Sequence, residues 1–498
     1  MSVIGLDVGT TSVKGVAVDE GGVVVGRASR AYPLLTPRPG WSEQDPEQWW
    51  WAAREVLDEL RAGVGRPQGI GLSGQMHGLV APGRDDRPLR PAILWNDQRT
   101  AVEAEEIEGR IGFAELVSLT GNRALTGFTA PKLLWLRRYE PDIYRQVETV
   151  LLPKDYVRLR LCGEHATDAS DASGTLLFDV AERRWSTPVT EALEIPSEWL
   201  PHALESPEVS GTTADGVPVA AGAGDQAAGA LGVGVDRPGP ASVVLGTSGV
   251  VLAALDRFSS DPEARVHAFC HAVPNTWYAM GVMLSAGGSL AWLRRVMAPE
   301  VEFDRLLEEA ERWPPGSEDL LFLPYLAGER TPYFDPDARG AFAGLSLRHD
   351  RGALTRAVLE GVAFGLRDCL DVLGGAGAVT SSGRVSGGGA RGTLWLRIVA
   401  SVLEQPLSRT NVDDGAAFGA ALLGGVAGGI WRDVAQAVAE TVSVIETIEP
   451  DLDWSAQYRE LRERFRRLYP ALGDATTSSA IAIAPRTPAS SPSPGATR

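Results

Sequence analysis

Val243-Val244-Leu245-Gly246-Thr247-Ser248-Gly249-Val250-Val251-Leu252 reads as an apolar strand, a tight polar turn and a second apolar strand. The same figure opens the chain. Val3-Ile4-Gly5-Leu6-Asp7-Val8 runs into Gly9-Thr10-Thr11-Ser12, Val13 to Val18 alternates as a second strand, and Asp19-Glu20-Gly21-Gly22 turns the chain into Val23-Val24-Val25. One such hairpin is ordinary. Two, one opening each half, indicate an internal duplication with a ligand held between the halves. Hydroxyls and amides of a Gly-Thr-Thr or Gly-Thr-Ser turn suit phosphate oxygens, and Asp7, close to its strand's end, suits a metal carried by the phosphate. The join falls at Asp236-Arg237-Pro238-Gly239-Pro240, a linker composition.

Working outward, Gly222-Ala223-Gly224-Asp225-Gln226-Ala227-Ala228-Gly229 follows the apolar run Val217 to Ala221 and opens a small-residue helix. Asp225 then sits at a helix start, where free amides and the positive end of the dipole suit an anionic phosphate, or where an Asp merely caps a turn. Gly222-Ala-Gly224-x-x-Ala227 also matches a dinucleotide fingerprint. That fingerprint requires an acidic residue at the end of the next strand, and Ala241 to Leu245 ends in the Gly-Thr-Ser turn instead. Val385-Ser386-Gly387-Gly388-Gly389-Ala390-Arg391-Gly392 is a second match, leading into an apolar helix from Leu394 to Leu403. A Gly-rich turn that packs a helix close to a strand explains it equally well.

Several polar clusters end apolar runs: Gln75-Met76-His77-Gly78 after Ile70 to Ser73, Trp95-Asn96-Asp97-Gln98-Arg99 after Ile93, and Lys154-Asp155-Tyr156 after Leu151. Open α/β sheets bind ligands beyond their strand ends, so these clusters together mark a cleft. Asp45-Pro46-Glu47-Gln48 caps a helix whose apolar face is Trp49, Trp50, Val56, Leu57 and Leu60. Leu354, Val358, Val362, Leu366 and Leu370 mark a longer one, Asp413-Asp414-Gly415 starts a small-residue helix, and Tyr458, Leu461, Phe465 and Leu468 form a docking face. Phe322 to Pro332 is a structured loop. His267, Cys270 and His271 lack a fourth ligand at zinc spacing.

The chain has 498 residues, too many for one core. Its 64 acidic residues against 47 basic ones, net −17, argue against nucleic acid as a partner. Three scattered cysteines suit a reducing compartment, the chain begins on a strand without a charged-then-apolar leader, and the apolar window Ala416 to Ile430 is short for a membrane span. A cytoplasmic location without membrane contact is expected.

Asp7-Val-Gly-Thr-Thr-Ser, Trp41-Ser-Glu-Gln-Asp-Pro-Glu-Gln-Trp-Trp50, Gln75-Met-His-Gly78, Ile93-Leu-Trp-Asn-Asp97 and Gly127-Phe-Thr-Ala-Pro-Lys-Leu-Leu-Trp135 resemble the FGGY family of carbohydrate kinases. So do Leu152-Pro-Lys-Asp-Tyr156, Leu245-Gly-Thr-Ser-Gly249, Tyr325-Leu-Ala-Gly-Glu-Arg-Thr-Pro332 and Gly387-Gly-Gly-Ala-Arg391, so that the resemblance runs from about residue 2 to 432. It implies an α/β fold of two ribonuclease-H-like domains of the actin/hexokinase type, with the active site in the cleft between them. The expected division is a sugar-binding domain over 1–237, a nucleotide-binding domain over 241–450, a docking helix over 451–472 and a disordered tail over 473–498. The tail is rich in Ser, Thr, Pro and Ala.

By the same resemblance, ATP with Mg2+ phosphorylates a sugar. Gln75-Met76-His77-Gly78 points within the family to D-xylulose, and ribulose, glycerol or gluconate remain alternatives. Asp225 is implied as the catalytic base and Asp7 as its partner, both near the metal. Met76, His77, Asp225 and Gln226 are implied at the sugar, and Thr10, Thr11, Thr247, Ser248, Gly388, Gly389 and Ala390 at the ATP. Gln226 stands where Asn is usual in the D-xylulose branch, which bears on the sugar preferred and not on the reaction. A homodimer is among the assemblies the resemblance implies. A rival class, an actin-like ATPase, shares both phosphate hairpins but needs no His-bearing sugar cleft. A dehydrogenase would use both Gly-rich fingerprints.

Overall fold

A computed structural model describes residues 1–476, with side chains to 472. The expected tail over 473–498 therefore falls almost wholly outside the described residues.

The first half is built on β1 (Ser2–Val8), β2 (Ser12–Asp19), β3 (Val24–Ala31), β4 (Ile70–Gly74) and β5 (Pro218–Ala220). They lie side by side in the order β3-β2-β1-β4-β5. β3/β2 and β2/β1 pair antiparallel, β1/β4 and β4/β5 parallel. β1 reads Val-Ile-Gly-Leu with little polar interruption because both sheet faces are covered, as strands flanked by helices on either side must be. On one face packs α1 (Pro46–Val64), which buries Trp49, Ala52, Ala53, Val56, Leu57 and Leu60. Asp45 caps it, accepting from the Glu47 amide at 3.0 Å. Two details of the expected helix differ. The Gln48 side chain is exposed and makes no bond to the cap among the described residues, and Trp50 is only half-buried, beneath the Arg160 guanidinium.

The second half repeats the plan. β6 (Gly239–Leu245), β7 (Gly249–Leu255), β8 (Trp277–Met283), β9 (Thr380–Ser386) and β10 (Leu407–Thr410) lie in the order β8-β7-β6-β9-β10. The directions match as well: antiparallel, antiparallel, parallel, parallel. The duplicated hairpin is thus the start of a duplicated run of five strands, each run within a seven-stranded sheet.

Three helices relate the halves. α2 (Asp225–Gly232) closes the first, and α3 (Arg351–Gly375) is almost wholly buried in the second. α4 (Gly415–Ala427) comes from the second half in sequence but packs on α2, β1 and β4 of the first. The approach is backbone on backbone. A methyl group on Gly5 or Gly71 would overlap the Ala417 or Ala420 carbonyl oxygen, and one on Gly419 would overlap that of Ala228. One apolar cluster accordingly joins Ala228 and Leu231 to Val250, Met280, Ala417 and Phe418. α5 (Leu452–Thr476) docks on the second half through Tyr458, Leu461 and Phe465. Arg356, Glu360 and Tyr458 bond to one another beneath it. Among the described residues no helix is long and apolar enough to cross a membrane.

Candidate active site

Three segments leave the first sheet at one edge. β1 carries Asp7 beside Ser73 of β4, and the short strand Ala223–Gly224 pairs with Ser73 and Gly74 on the other side. Asp7, Gln75-Met76-His77 and Asp225 are delivered to the same rim, the ligand side of an open parallel arrangement. Gly222 (φ 85°) makes the turn before Asp225, and a side chain there would strike the Leu72 carbonyl. Asp225 is the first residue of α2 and is partly buried. Burial lifts its pKa to about 7, and the charge of Asp7 adds to the lift. Asp7 itself is raised to about 6 by burial, against the pull of Lys14 opposite it on β2. Its Oδ1 is buried without a hydrogen-bond partner. Two carboxylates that prefer to share a proton suit a site that receives a cation or a proton.

The hairpin turns present amides. In the first, the carbonyls are held from behind: Gly9 O accepts from the Tyr32 hydroxyl, Thr10 O from Gln44 Nε2 at 2.6 Å, and Thr11 O from the Tyr32 amide at 3.2 Å. The Thr10 and Thr11 amides find no partner among the described residues. In the second, Gly246 O accepts from Gly287 N at 2.8 Å, and Thr247 O from Ala286 N at 2.9 Å and Gly288 N at 3.0 Å. The Thr247 and Ser248 amides are left equally free. Turns with carbonyls tied back and amides forward are anion cradles. Gly387 and Gly388 are exposed beyond β9, and Ala390 is tucked under them, its carbonyl accepting from Arg409 Nε at 2.9 Å.

A cavity of about 560 Å3 opens beside Asp7, lined also by Lys14, Arg27, Ser29, Asp413 and Ala416. Arg27 and Asp414 close an ion pair of 2.8 Å at its edge, joining β3 to the start of α4.

Comparison with known proteins fixes the family. The model for the N-terminal domain of the FGGY family of carbohydrate kinases matches residues 2–232, and that for its C-terminal domain residues 241–428. The chain belongs to the FGGY family of carbohydrate kinases. It is 42% identical over 481 residues to the xylulose kinase of Escherichia coli K12, covering 94% of this chain and 99% of that one. It is 40% identical to the xylulose kinase of Klebsiella pneumoniae with the same two shares. The crystal structure of xylulose kinase from Rhodospirillum rubrum superimposes with a TM-score of 0.90 at 34% identity, over 96% of this chain and all of that one.

In this FGGY kinase, Met76 is buried against Gly224 and the Tyr278 hydroxyl, while His77 (φ 68°) turns its ring between Phe128 and Phe269. Burial keeps His77 neutral, pushing it down to about 3. Gln226 places its amide nitrogen 3.4 Å from Asp225 Oδ1. Thr10 differs from Thr11 in a way the turn sequence does not reveal. Its hydroxyl donates to Gln75 Oε1 at 3.3 Å and accepts from the Trp95 indole at 3.0 Å, whereas Thr11 is exposed. Gln75 also donates to Gly9 O at 3.3 Å and to Gln44 Oε1 at 3.0 Å. A buried glutamine pair thus ties the turn at Gln75 to Gly78 to the turn at Gly9 to Ser12. Gln75 and Gln44 each lie inside a quoted motif, but neither motif says that the two side chains meet.

Lys154 was legible as part of a polar cluster and of the motif Leu152 to Tyr156, without its partners. It is fully buried among Asp155 (2.6 Å), Asp168 (2.7 Å) and Asp171 (3.1 Å). Three carboxylates face Lys154 and Arg158, and burial drives the Asp171 carboxyl up strongly against the pull of Lys154. The network grips the turn that presents Asp225: Arg158 Nη1 donates to Ala221 O at 2.6 Å, and the Gly224 amide donates to Ser170 Oγ, itself bonded to Asp168. His267 and Cys270 are absorbed by protein contacts, His267 with Asn122 Oδ1 at 2.7 Å and Cys270 with Val180 O.

Proposed function

We propose that this FGGY kinase transfers the γ-phosphoryl group of ATP to D-xylulose, giving D-xylulose 5-phosphate, with Asp225 as general base. The observation that carries the assignment of the base is the raised Asp225 carboxyl at a helix start, beside Asp7 and next to the sugar-side turn. The identity of the sugar rests on the xylulose kinases that this chain resembles over nearly its whole length. The half over 1–237 takes the sugar and the half over 241–450 the nucleotide, in a reaction carried out in the cytoplasm.

Phosphoryl transfer passes through a loose transition state, so the protein mainly positions groups and offsets charge. As the bond from the sugar O5 to phosphorus forms and the bond from phosphorus to the ADP oxygen breaks, Asp225 takes the hydroxyl proton. The amides of Thr10, Thr11, Thr247 and Ser248 receive phosphate oxygens, and Gly388, Gly389 and Ala390 flank the adenosine. The donor set suits Mg2+, which takes one or two carboxylates and otherwise keeps water and substrate phosphates. The unpartnered Asp7 Oδ1 and the Asp225 carboxylate fit that pattern. Bound there, Mg2+ supplies charge neutralisation on the transferring phosphate. Met76 and His77 seat the ketose, and closure of the halves excludes water, the competing nucleophile.

A coupled assay of ADP release across D-xylulose, L-ribulose, glycerol and gluconate tests the reading. D-xylulose is expected to give the highest kcat/KM. Glycerol or L-ribulose surpassing it would replace the substrate and leave the reaction class standing.

A further inference from the structure

Across from His77 the second half holds a cation that has nothing to pair with. Arg330 is half-buried, and no described group accepts a hydrogen bond from its guanidinium or forms an ion pair with it. Its neighbour Glu329 does not serve. Glu329 Oε1 accepts the backbone amides of Leu284 (2.9 Å) and Arg330 (2.8 Å), and burial lifts the carboxyl to about 8, which keeps it protonated at neutral pH. The backbone that carries Arg330 is fixed. Thr331 Oγ1 donates to Arg265 O at 2.8 Å and accepts from Val282 N at 3.1 Å, so the backbone at Arg330 is pinned to the end of β8. A charge fixed in a half-buried cleft, with no acceptor among the described residues, is free to donate to the oxygens of a ligand.

What surrounds it identifies the ligand. His77 Nδ1 lies 2.5 Å from Gly174 O, a carbonyl that only accepts, so Nδ1 carries the hydrogen. Asn122 Nδ2 donates to the Thr120 and Ala268 carbonyls, which turns Asn122 Oδ1 toward His267 Nδ1 at 2.7 Å and fixes the same tautomer there. Burial keeps both rings neutral, and both feel the charge of Arg330. Phe128 packs against both rings and Phe269 stacks on His267. Each Nε2 is therefore a lone-pair acceptor. A phosphate would be repelled by two such lone pairs, whereas a ketose offers both donors and acceptors.

We propose that Arg330 and His267 are the second half's contacts with the sugar. The guanidinium donates to the carbonyl and hydroxyl oxygens at the keto end, and the Nε2 atoms of His77 and His267 accept from its hydroxyls while O5 faces Asp225. The inference rests on the D-xylulose reading and makes the sugar itself the tie that draws the second half over the first.

The test uses the full chain and its Arg330→Met, Arg330→Lys and His267→Phe variants. Wild-type turnover of D-xylulose is measured first, and its absence overturns the substrate reading separately. Arg330→Met is expected to raise the KM for D-xylulose about 10- to 100-fold, to leave the KM for ATP within about twofold, and to melt no lower than wild type, because the guanidinium makes no hydrogen bond or ion pair to the described residues that could be lost. Arg330→Lys should fall between, and His267→Phe should raise the same KM. An unchanged KM for D-xylulose in Arg330→Met or His267→Phe overturns the proposal. So does a rise confined to the KM for ATP, or a melting temperature several degrees lower in Arg330→Met.

Discussion

Asn in place of Asp225 keeps the size of the side chain and removes its ability to take a proton, an effect worth roughly 10²–10⁴ in rate. Asp225→Asn should therefore collapse kcat with both KM values within about tenfold, the pattern of an interaction made only in the transition state. A variant retaining more than about a tenth of wild-type kcat would transfer the role to Asp7. The raised carboxyl also sets a pH dependence. Asp225 must be ionised to act as a base, so kcat/KM of the free enzyme should fall as pH drops through about 7. A stability effect of the opposite sense accompanies it. The folded-state pKa lies above the ordinary value of 3.8, so the native protein holds this proton more tightly and is penalised as pH rises from about 4 to about 7. The melting temperature of Asp225→Asn should exceed that of wild type by an amount that opens across this window, which calorimetry at pH 4.5 and 8 would show. An equal gap at both values would mean that the Asp225 carboxyl is not raised in the folded state.

Elements differed in how much of them the chain declares locally. The hairpins around Gly9-Thr10-Thr11-Ser12 and Gly246-Thr247-Ser248 are written in turn residues and alternating strands, so both turns and the duplication were legible. α2 and α4 were legible as helices, but the seat of α4 was not. Its partners Gly5 and Gly71 lie in strands some 340 residues or more away, and small residues say only that something comes close. The Gln44-Gln75-Thr10 bonds and the unpaired state of Arg330 were invisible for the same reason: each arises when distant segments meet. The α4 contact gives the clearest test at this scale. Gly419→Val would drive a side chain into the Ala228 backbone, with no flexible neighbour to yield, and should cost about 1–3 kcal/mol or more, read as a lowered denaturation midpoint. An unaffected midpoint would mean that α4 stands off α2. Gln75→Leu preserves volume and severs the tie between the two turns. It should lower kcat about tenfold or more while the KM for D-xylulose changes less, because the phosphate turn loses its support and the sugar seat does not. An equal rise in that KM would assign Gln75 to the sugar.

At the scale of the molecule, the apolar cluster that runs from Leu231 through Met280 to Phe418 leaves no seam along which the halves can melt apart. Calorimetry should record one transition, with calorimetric and van't Hoff enthalpies in agreement, and two resolved transitions would show that α4 does not couple the halves. The path of α4 carries a lesson for anyone recombining such kinases. The linker at Asp236 to Pro240 is the obvious crossover for grafting one donor's second half onto another's first. A cut there hands the recipient a foreign α4 to fit against its own Gly5, Gly71 and Ala228, a match of backbones with no side chains to absorb a mismatch. A graft that returns residues 415–427 to the parent of the first sheet should yield soluble, active chimeras where the single-crossover graft does not.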